Sequence, residues 1–299
     1  MEMGDKTAIA LRAQVVAPNE IVKLAKVIDQ SPVSHLFIPD LMVGYDSLEI
    51  SAACLGVSKG LRVGSGVFRP LEHDLQQLVR RLQTLQAVSG NRYLLGVGTG
   101  SPGPNPKKKI EDLLARLEEI RSNLRERSVT LPETYIATLK AGIAREVAGK
   151  CDGIILNFCP PEFAKTIVDG VKDSFSGKLE VACYLKVFYS KSKEQSTKLA
   201  INEFVMYDSL PQYHKMFEKS GLSQQIIAAA RTLSEKEPQY PESLRKTSPV
   251  NPTQDELSNY IEEFRKSGVS LPTVYPYFSP NESFDFKHET IQNVISATE

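Results

Sequence analysis

Little in this sequence suits metal, disulfide or polyanion chemistry. Its four cysteines, Cys54, Cys151, Cys159 and Cys183, form no CxxC pair and no regular framework. Buried free thiols of a reducing compartment are therefore expected, not a disulfide scaffold. Its four histidines, His35, His73, His214 and His288, show no HExxH or HxH spacing, so no metal site is expected. Net charge is also lacking, with 36 basic residues against 36 acidic ones. A neutral chain has no long-range field to hold nucleic acid or an anionic membrane, and neither is expected as a partner. The one dense basic run, Lys107-Lys108-Lys109, is followed at once by Glu111 and Asp112, which reads as the solvated start of a helix. No apolar run is long enough to span a bilayer. The opening residues Met1-Glu2-Met3-Gly4-Asp5-Lys6 lack the apolar stretch of a signal peptide, so a cytoplasmic location is expected.

What the sequence has is alternation. Its 299 residues, 41% apolar and 24% charged, can bury a large core. Short apolar runs at 7–13, 34–39, 61–68, 93–97, 134–139, 153–158, 179–188 and 273–277 read as strands. Between them lie amphipathic stretches at 20–30, 46–59, 71–89, 108–124, 141–148 and 161–175, then a long helical region at 193–236 with breaks near Pro211 and Gly221. The segment 71–89 places Leu71, Leu75, Leu78, Leu82, Leu85 and Val88 on one stripe, and Gly90 stops it. Residues 238–252 are polar and proline-rich and read as a surface loop. A helix then begins at Thr253 with an acidic first turn, and a last helix covers 288–297. Eight strand–helix units in a chain of this length predict one (β/α)₈ TIM barrel spanning residues 1–299, with an insertion before the last strand. An open doubly wound sheet is the competing architecture.

The stretch Arg92-Tyr93-Leu94-Leu95-Gly96-Val97-Gly98-Thr99-Gly100, followed by Ser101-Pro102-Gly103-Pro104, is the most informative. It is an apolar strand that breaks into alternate glycines at its carboxyl end, where a ligand can approach the backbone closely. In α/β folds that end of the sheet carries the functional site. Gly98-Thr99-Gly100 offers free N–H groups to a ligand, or else makes a tight strand-to-helix turn.

The order of motifs resembles a known superfamily. Gly64-Ser65-Gly66-Val67 closes strand three, with Arg69-Pro70 just after it. A long helix leads to the glycine-rich stretch, then come Tyr135-Ile136-Ala137-Thr138 and Ala148-Gly149-Lys150-Cys151-Asp152-Gly153-Ile154-Ile155-Leu156-Asn157. Ile21-Val22-Lys23-Leu24 and the spacing Tyr207, Pro211, Phe217, Gly221 extend the match over nearly the whole chain. The pattern resembles the bacterial-luciferase-like superfamily, and within it most closely the archaeal methylenetetrahydromethanopterin reductase type. The two central motifs are fairly specific together and weak alone.

That resemblance implies an oxidoreductase with a deazaflavin, coenzyme F420, at the carboxyl face of the strands, and a homodimer formed through early helices. It implies a non-proline cis peptide at Gly66-Val67, beside Ser65, against which the ring system leans. It also implies cofactor contacts at Gly98, Thr99 and Gly100 and at Thr138, Lys140 and Ala141. Lys140 is either a charge contact to the cofactor's phosphate or a surface lysine that blocks the pocket. Asn157 and Phe158, at the end of strand six, match a further cofactor position. Family members often place a carboxylate on strand one and a histidine after strand two. Here those positions read Leu11 or Arg12, and Asp40-Leu41. Asp40 is the surviving acid–base candidate, or else a cap for the following loop. Arg69, Glu72 and His73 could reach the mouth or start a surface helix. Tyr207, Tyr213 and Phe217 line a substrate entrance or belong to the core. Three readings follow: hydride transfer between a deazaflavin and a small organic substrate, an FMN-dependent monooxygenase, and a non-catalytic barrel that binds a flavin or other small ligand.

Overall fold

A computed structural model describes residues 6–41, 44–100 and 105–298. Residues 101–104 of the glycine-rich stretch lie outside the described residues. Eight strands run parallel and pair in chain order: β1 (Ala8–Ala10), β2 (His35–Ile38), β3 (Arg62–Phe68), β4 (Tyr93–Val97), β5 (Glu133–Ala137), β6 (Gly153–Asn157), β7 (Glu180–Tyr189) and β8 (Leu271–Phe278). Pairing of β8 with β1 through Ala8 and Thr273 closes the ring. The architecture is the expected (β/α)₈ barrel, and the open sheet is excluded.

Helices α1 (Pro18–Ile28), α2 (Ser47–Val57), α3 (Leu75–Ser89), α4 (Pro106–Glu126), α5 (Ala141–Val147) and α6 (Pro161–Lys172) follow the first six strands in turn. The insertion comprises α7 (Lys193–Asp208), α8 (Pro211–Lys219), α9 (Ser223–Arg231), α10 (Glu242–Thr247) and α11 (Gln254–Lys266), all before β8. Helix α12 (Phe284–Ser296) ends the described chain.

Local chemistry sets the helix ends. Thr253 and Glu256 form a reciprocal capping box at the start of α11. Asn105 accepts from the Lys108 amide at the start of α4, where Lys107 and Lys108 pair with Glu111 and Asp112 one turn on. Gly90, at φ 61°, terminates α3 in the left-handed conformation.

Two expectations need correction. The buried stripe of α3 is Leu78, Val79, Leu82, Leu85 and Ser89, whereas Leu71 and Val88 are exposed. Leu71 lies in a separate 3₁₀ turn, Pro70–Glu72. At 3.6 residues per turn Ser89, not Val88, returns over Leu78. Residues 238–252 are not simply a surface loop. They contain α10, and Thr247, Ser248 and Val250 are buried. β7 outruns its neighbours, and this segment satisfies its backbone: Phe188 donates to Pro249, Asn251 donates back to Phe188, and Ser248 Oγ reaches Lys186 O at 2.5 Å.

The barrel interior is filled by large side chains, including Phe37, Leu94, Tyr135, Tyr184, Tyr275 and Tyr277. Glycines let neighbouring strands and their side chains approach closely. A Cβ at Gly96 would lie 2.2 Å from Ser65 O, and one at Gly153 would lie 2.5 Å from the Tyr135 ring. At the amino-terminal floor, Glu180 accepts from Tyr135 Oη (2.5 Å) and Lys6 Nζ (3.0 Å). His35 is buried beside them, its Nδ1 2.7 Å from Ser34 Oγ.

Candidate functional site

The carboxyl ends of the strands form the mouth, the face where barrels of this type carry their reactive groups. The register between β3 and β4 slips between Ser65 and Phe68, and the Gly66-Val67 peptide is cis, as the resemblance implies. Ser65 faces away from the mouth: its Oγ donates to Gly96 O (2.9 Å) and accepts from Tyr93 Oη (3.2 Å). Gly66 faces the interior, where the Tyr184 hydroxyl lies 1.6 Å from the position of an added Cβ. Val67 is half-buried at the upper edge of the interior cluster.

In the loop after β4 one of the N–H groups expected to be free is already spent. The Gly98 N–H is not free, because it donates to Phe68 O at 2.9 Å and so closes the bulge. Thr99 is half-buried. Gly100, at φ 68°, lies against Arg69 and Glu72. Arg69 joins this rim to β2 through Asp40 Oδ2 (3.3 Å) and also holds Glu72 (2.8 Å). Burial raises the Asp40 carboxyl above its ordinary value, and the Arg69 charge opposes that shift. Asp40 is thus a nearly buried acid at the rim, its side chain 9% exposed. His73 stacks on Phe68 with ring centroids 4.4 Å apart.

At β5 the Thr138 amide donates to Ile155 O (3.0 Å), and Thr138 Oγ1 accepts the Lys140 amide (3.0 Å). Both amides are committed, so Lys140 has only its side chain to offer an anion. Lys140 is exposed and, with Ala141, borders a groove of about 1110 Å³ that runs between α5, α6 and the insertion. Asn157, at the end of β6, donates to Tyr213 Oη (2.7 Å) and more weakly to Tyr207 Oη (3.4 Å). Its Oδ1 is buried and has no partner among the described residues. Phe158 sits at φ 52° and packs into a core cluster with Phe204 and Phe217, ring centroids 4.6 and 5.7 Å away. Phe158 therefore shapes the wall behind the site.

The sequence reasoning missed the most polar part of the interior. Lys186, on β7, is fully buried; its Nζ donates to Glu203 Oε1 (2.5 Å) and Tyr277 Oη (3.0 Å). It also lies 3.7 Å from the Tyr207 ring centroid and 4.6 Å from that of Phe158, a cation held by aromatic faces. Arg12, just beyond β1, reaches the same Tyr277 hydroxyl at 3.3 Å. A signal existed: Tyr184, Lys186 and Phe188 fall on one face of an alternating strand, and a charge at a core position demands a partner. Asn157 and Tyr184 are register partners on β6 and β7. The Tyr184 hydroxyl, like Asn157 Oδ1, is buried without a partner among the described residues.

No family model matches the sequence, and no curated protein matches it. Solved structures do match over nearly their whole length. The coenzyme F420-dependent tetrahydromethanopterin reductase of Methanopyrus kandleri is 15% identical, covering 98% of this chain and 99% of that one, with a TM-score of 0.64. An F420-dependent secondary alcohol dehydrogenase, solved with an F420–acetone adduct, is 13% identical over 97% and 99%, with a TM-score of 0.69. The oxygenating constituent of 3,6-diketocamphane monooxygenase from Pseudomonas putida, solved with FMN, is 12% identical over 98% and 97%, with a TM-score of 0.64. This chain shares their fold. The likeness spans the barrel and the insertion before the last strand alike, because almost all of each chain is covered. Among the described residues no helix is long and apolar enough to cross a membrane, and no group of His, Cys, Asp and Glu could hold a metal ion.

Proposed function

We propose that this chain is an oxidoreductase that transfers a hydride between a deazaflavin, coenzyme F420, and a small organic substrate at the barrel mouth. One observation carries the reading: Asn157 Oδ1 and the Tyr184 hydroxyl, on register-paired positions of β6 and β7, are buried without partners among the described residues, and Tyr184 lies beside Gly66. Buried polar atoms rarely stay unpaired in native proteins. An amide acceptor and a hydroxyl suit the polar edge of a planar heteroaromatic ring. Two proteins that share the fold carry F420 in their names.

A bound deazaflavin supplies the hydride chemistry itself. The residues of this chain do the rest. Asn157 and Tyr184 orient the ring edge, and burial keeps the Tyr184 hydroxyl protonated by pushing its pKa well up. Val67 and Gly66 form the surface beside them. The Lys140 ammonium holds the phosphate of the cofactor's tail as a point charge. Asp40, its carboxyl raised by burial against the opposing Arg69 charge, is the acid–base group that would pass a proton to a carbonyl substrate. The aromatic wall of Phe158, Tyr207 and Tyr213 excludes water. The same reading includes a homodimer through α2 and α3, where a groove of about 350 Å³ carries Ala52, Leu85 and the 59% exposed Val88; light scattering of the purified protein measures its mass.

A cofactor screen tests the proposal. The melting temperature is read with coenzyme F420 and with FMN, because a ligand that binds the folded state stabilises it by mass action. Stabilisation by F420, with a perturbed deazaflavin spectrum, is expected. Stabilisation by FMN alone turns the reading to an oxygenase supplied with reduced flavin. No shift with either leaves a non-catalytic barrel.

A further inference from the structure

We propose that Arg12 binds an anionic group of the substrate, so that the barrel mouth selects a small organic carboxylate; the assignment of that ligand as substrate rests on the function proposed above. Arg12 stands just beyond the end of β1, a cation at the barrel mouth. The charges around it do not cancel that cation. Glu203 is a carboxylate whose charge acts on Arg12, and it is already bonded to Lys186. Arg12 forms no ion pair among the described residues. It is held by the Tyr277 hydroxyl and lies 5.6 Å from that ring's centroid. Its Nε is buried and has no hydrogen-bond partner among the described residues. Among the described residues, Arg12 and Lys186 meet at the Tyr277 hydroxyl with Glu203 as the paired carboxylate, which leaves one positive charge in excess there.

An arginine held this way is costly unless an anion completes it. A guanidinium presents parallel N–H donors that match a carboxylate in two-point contact. Arg12 is half-buried, so it is reachable from the mouth, whereas Lys186 lies fully behind the aromatic wall. The reachable cation binds the anion, and Lys186 adds to the positive field from behind. The surrounding tyrosines favour a carboxylate carried on an apolar or aromatic body.

Benzoate and its neutral isostere benzamide probe this site. The full chain is titrated with each, with affinity read by calorimetry and stabilisation by melting temperature. Benzoate is expected to bind at least about tenfold more tightly than benzamide, the scale of a charge-assisted hydrogen bond. Arg12→Gln is expected to lose that preference, and Arg12→Lys, which keeps the charge without the fork, to keep part of it. Equal binding of the two probes, binding of neither, or full benzoate affinity in Arg12→Gln overturns the proposal. Should Arg12→Gln fail to fold, Arg12→Lys and the wild-type pair of titrations decide. Deazaflavin binding is read separately by absorbance in the wild type. A benzoate preference without deazaflavin binding refutes hydride transfer and leaves the Arg12 site standing, and deazaflavin binding without the preference does the reverse.

Discussion

The Tyr184 hydroxyl stands where a side chain at Gly66 would begin, 1.6 Å from an ideal Cβ. Tyr184 has little freedom to swing aside, because its ring lies between Phe37 and Tyr275, with centroids 5.8 and 5.5 Å away. Glycine at 66 is therefore a packing requirement of β7 as much as an opening toward a ligand. Gly66→Ala is expected to destabilise the barrel by about 3 kcal/mol, the upper range for overpacking a core. Adding Tyr184→Phe to Gly66→Ala removes the clashing oxygen and recovers most of that loss in urea denaturation. Equal instability of the single and double variants would show that the cost arises elsewhere.

Glu203 compensates the fully buried Lys186 ammonium. Glu203→Gln leaves Lys186 charged and without its carboxylate, at a cost of about 3–5 kcal/mol. Pairing Glu203→Gln with Lys186→Met replaces the ion pair by an apolar contact with Phe158 and Tyr207, and is expected to regain most of the stability. A double-mutant cycle on chemical denaturation measures the coupling.

His35 makes the floor of the barrel sensitive to acid. Burial lowers its pKa to about 4 from an ordinary 6.5, with the nearby Glu180 opposing that shift and Arg62 and Lys6 adding to it. Between those two values the unfolded chain binds a proton that the folded chain does not, so stability falls as pH drops through that window. The full loss is on the order of 3 kcal/mol. His35→Phe keeps a ring over Phe37 and is expected to flatten the denaturation midpoint between pH 6.5 and 4.

Lys140 offers a phosphate only its side chain, because its amide is spent on Thr138. Lys140→Ala is accordingly expected to weaken coenzyme F420 binding about tenfold, the scale of one charge-assisted contact, with the melting temperature of the protein alone unchanged. Fluorescence titration of the deazaflavin reads the affinity. Unchanged affinity assigns Lys140 to the surface.

Much of this molecule was legible before folding. Short continuous apolar runs and stripes with period 3.6 mark elements whose partners are their own neighbours in the chain, so the alternation of strands and helices and the caps at Thr253 and Gly90 follow from local rules. The bulge at Gly66-Val67 was legible through resemblance alone. Tertiary structure decided where the interior polar groups meet. Arg12, Asn157, Lys186, Glu203 and Tyr277 come from separate turns of the barrel and from α7, and no spacing rule links them. Closure of the ring brings Lys186 to Glu203 and Tyr277 and sets Tyr184 against Gly66. Tertiary structure also decided that the Gly98 amide closes a strand rather than faces a ligand. Sequence carries each residue's chemistry, but only the closed barrel fixes which groups find partners and which do not, because burial and distance belong to the assembled core.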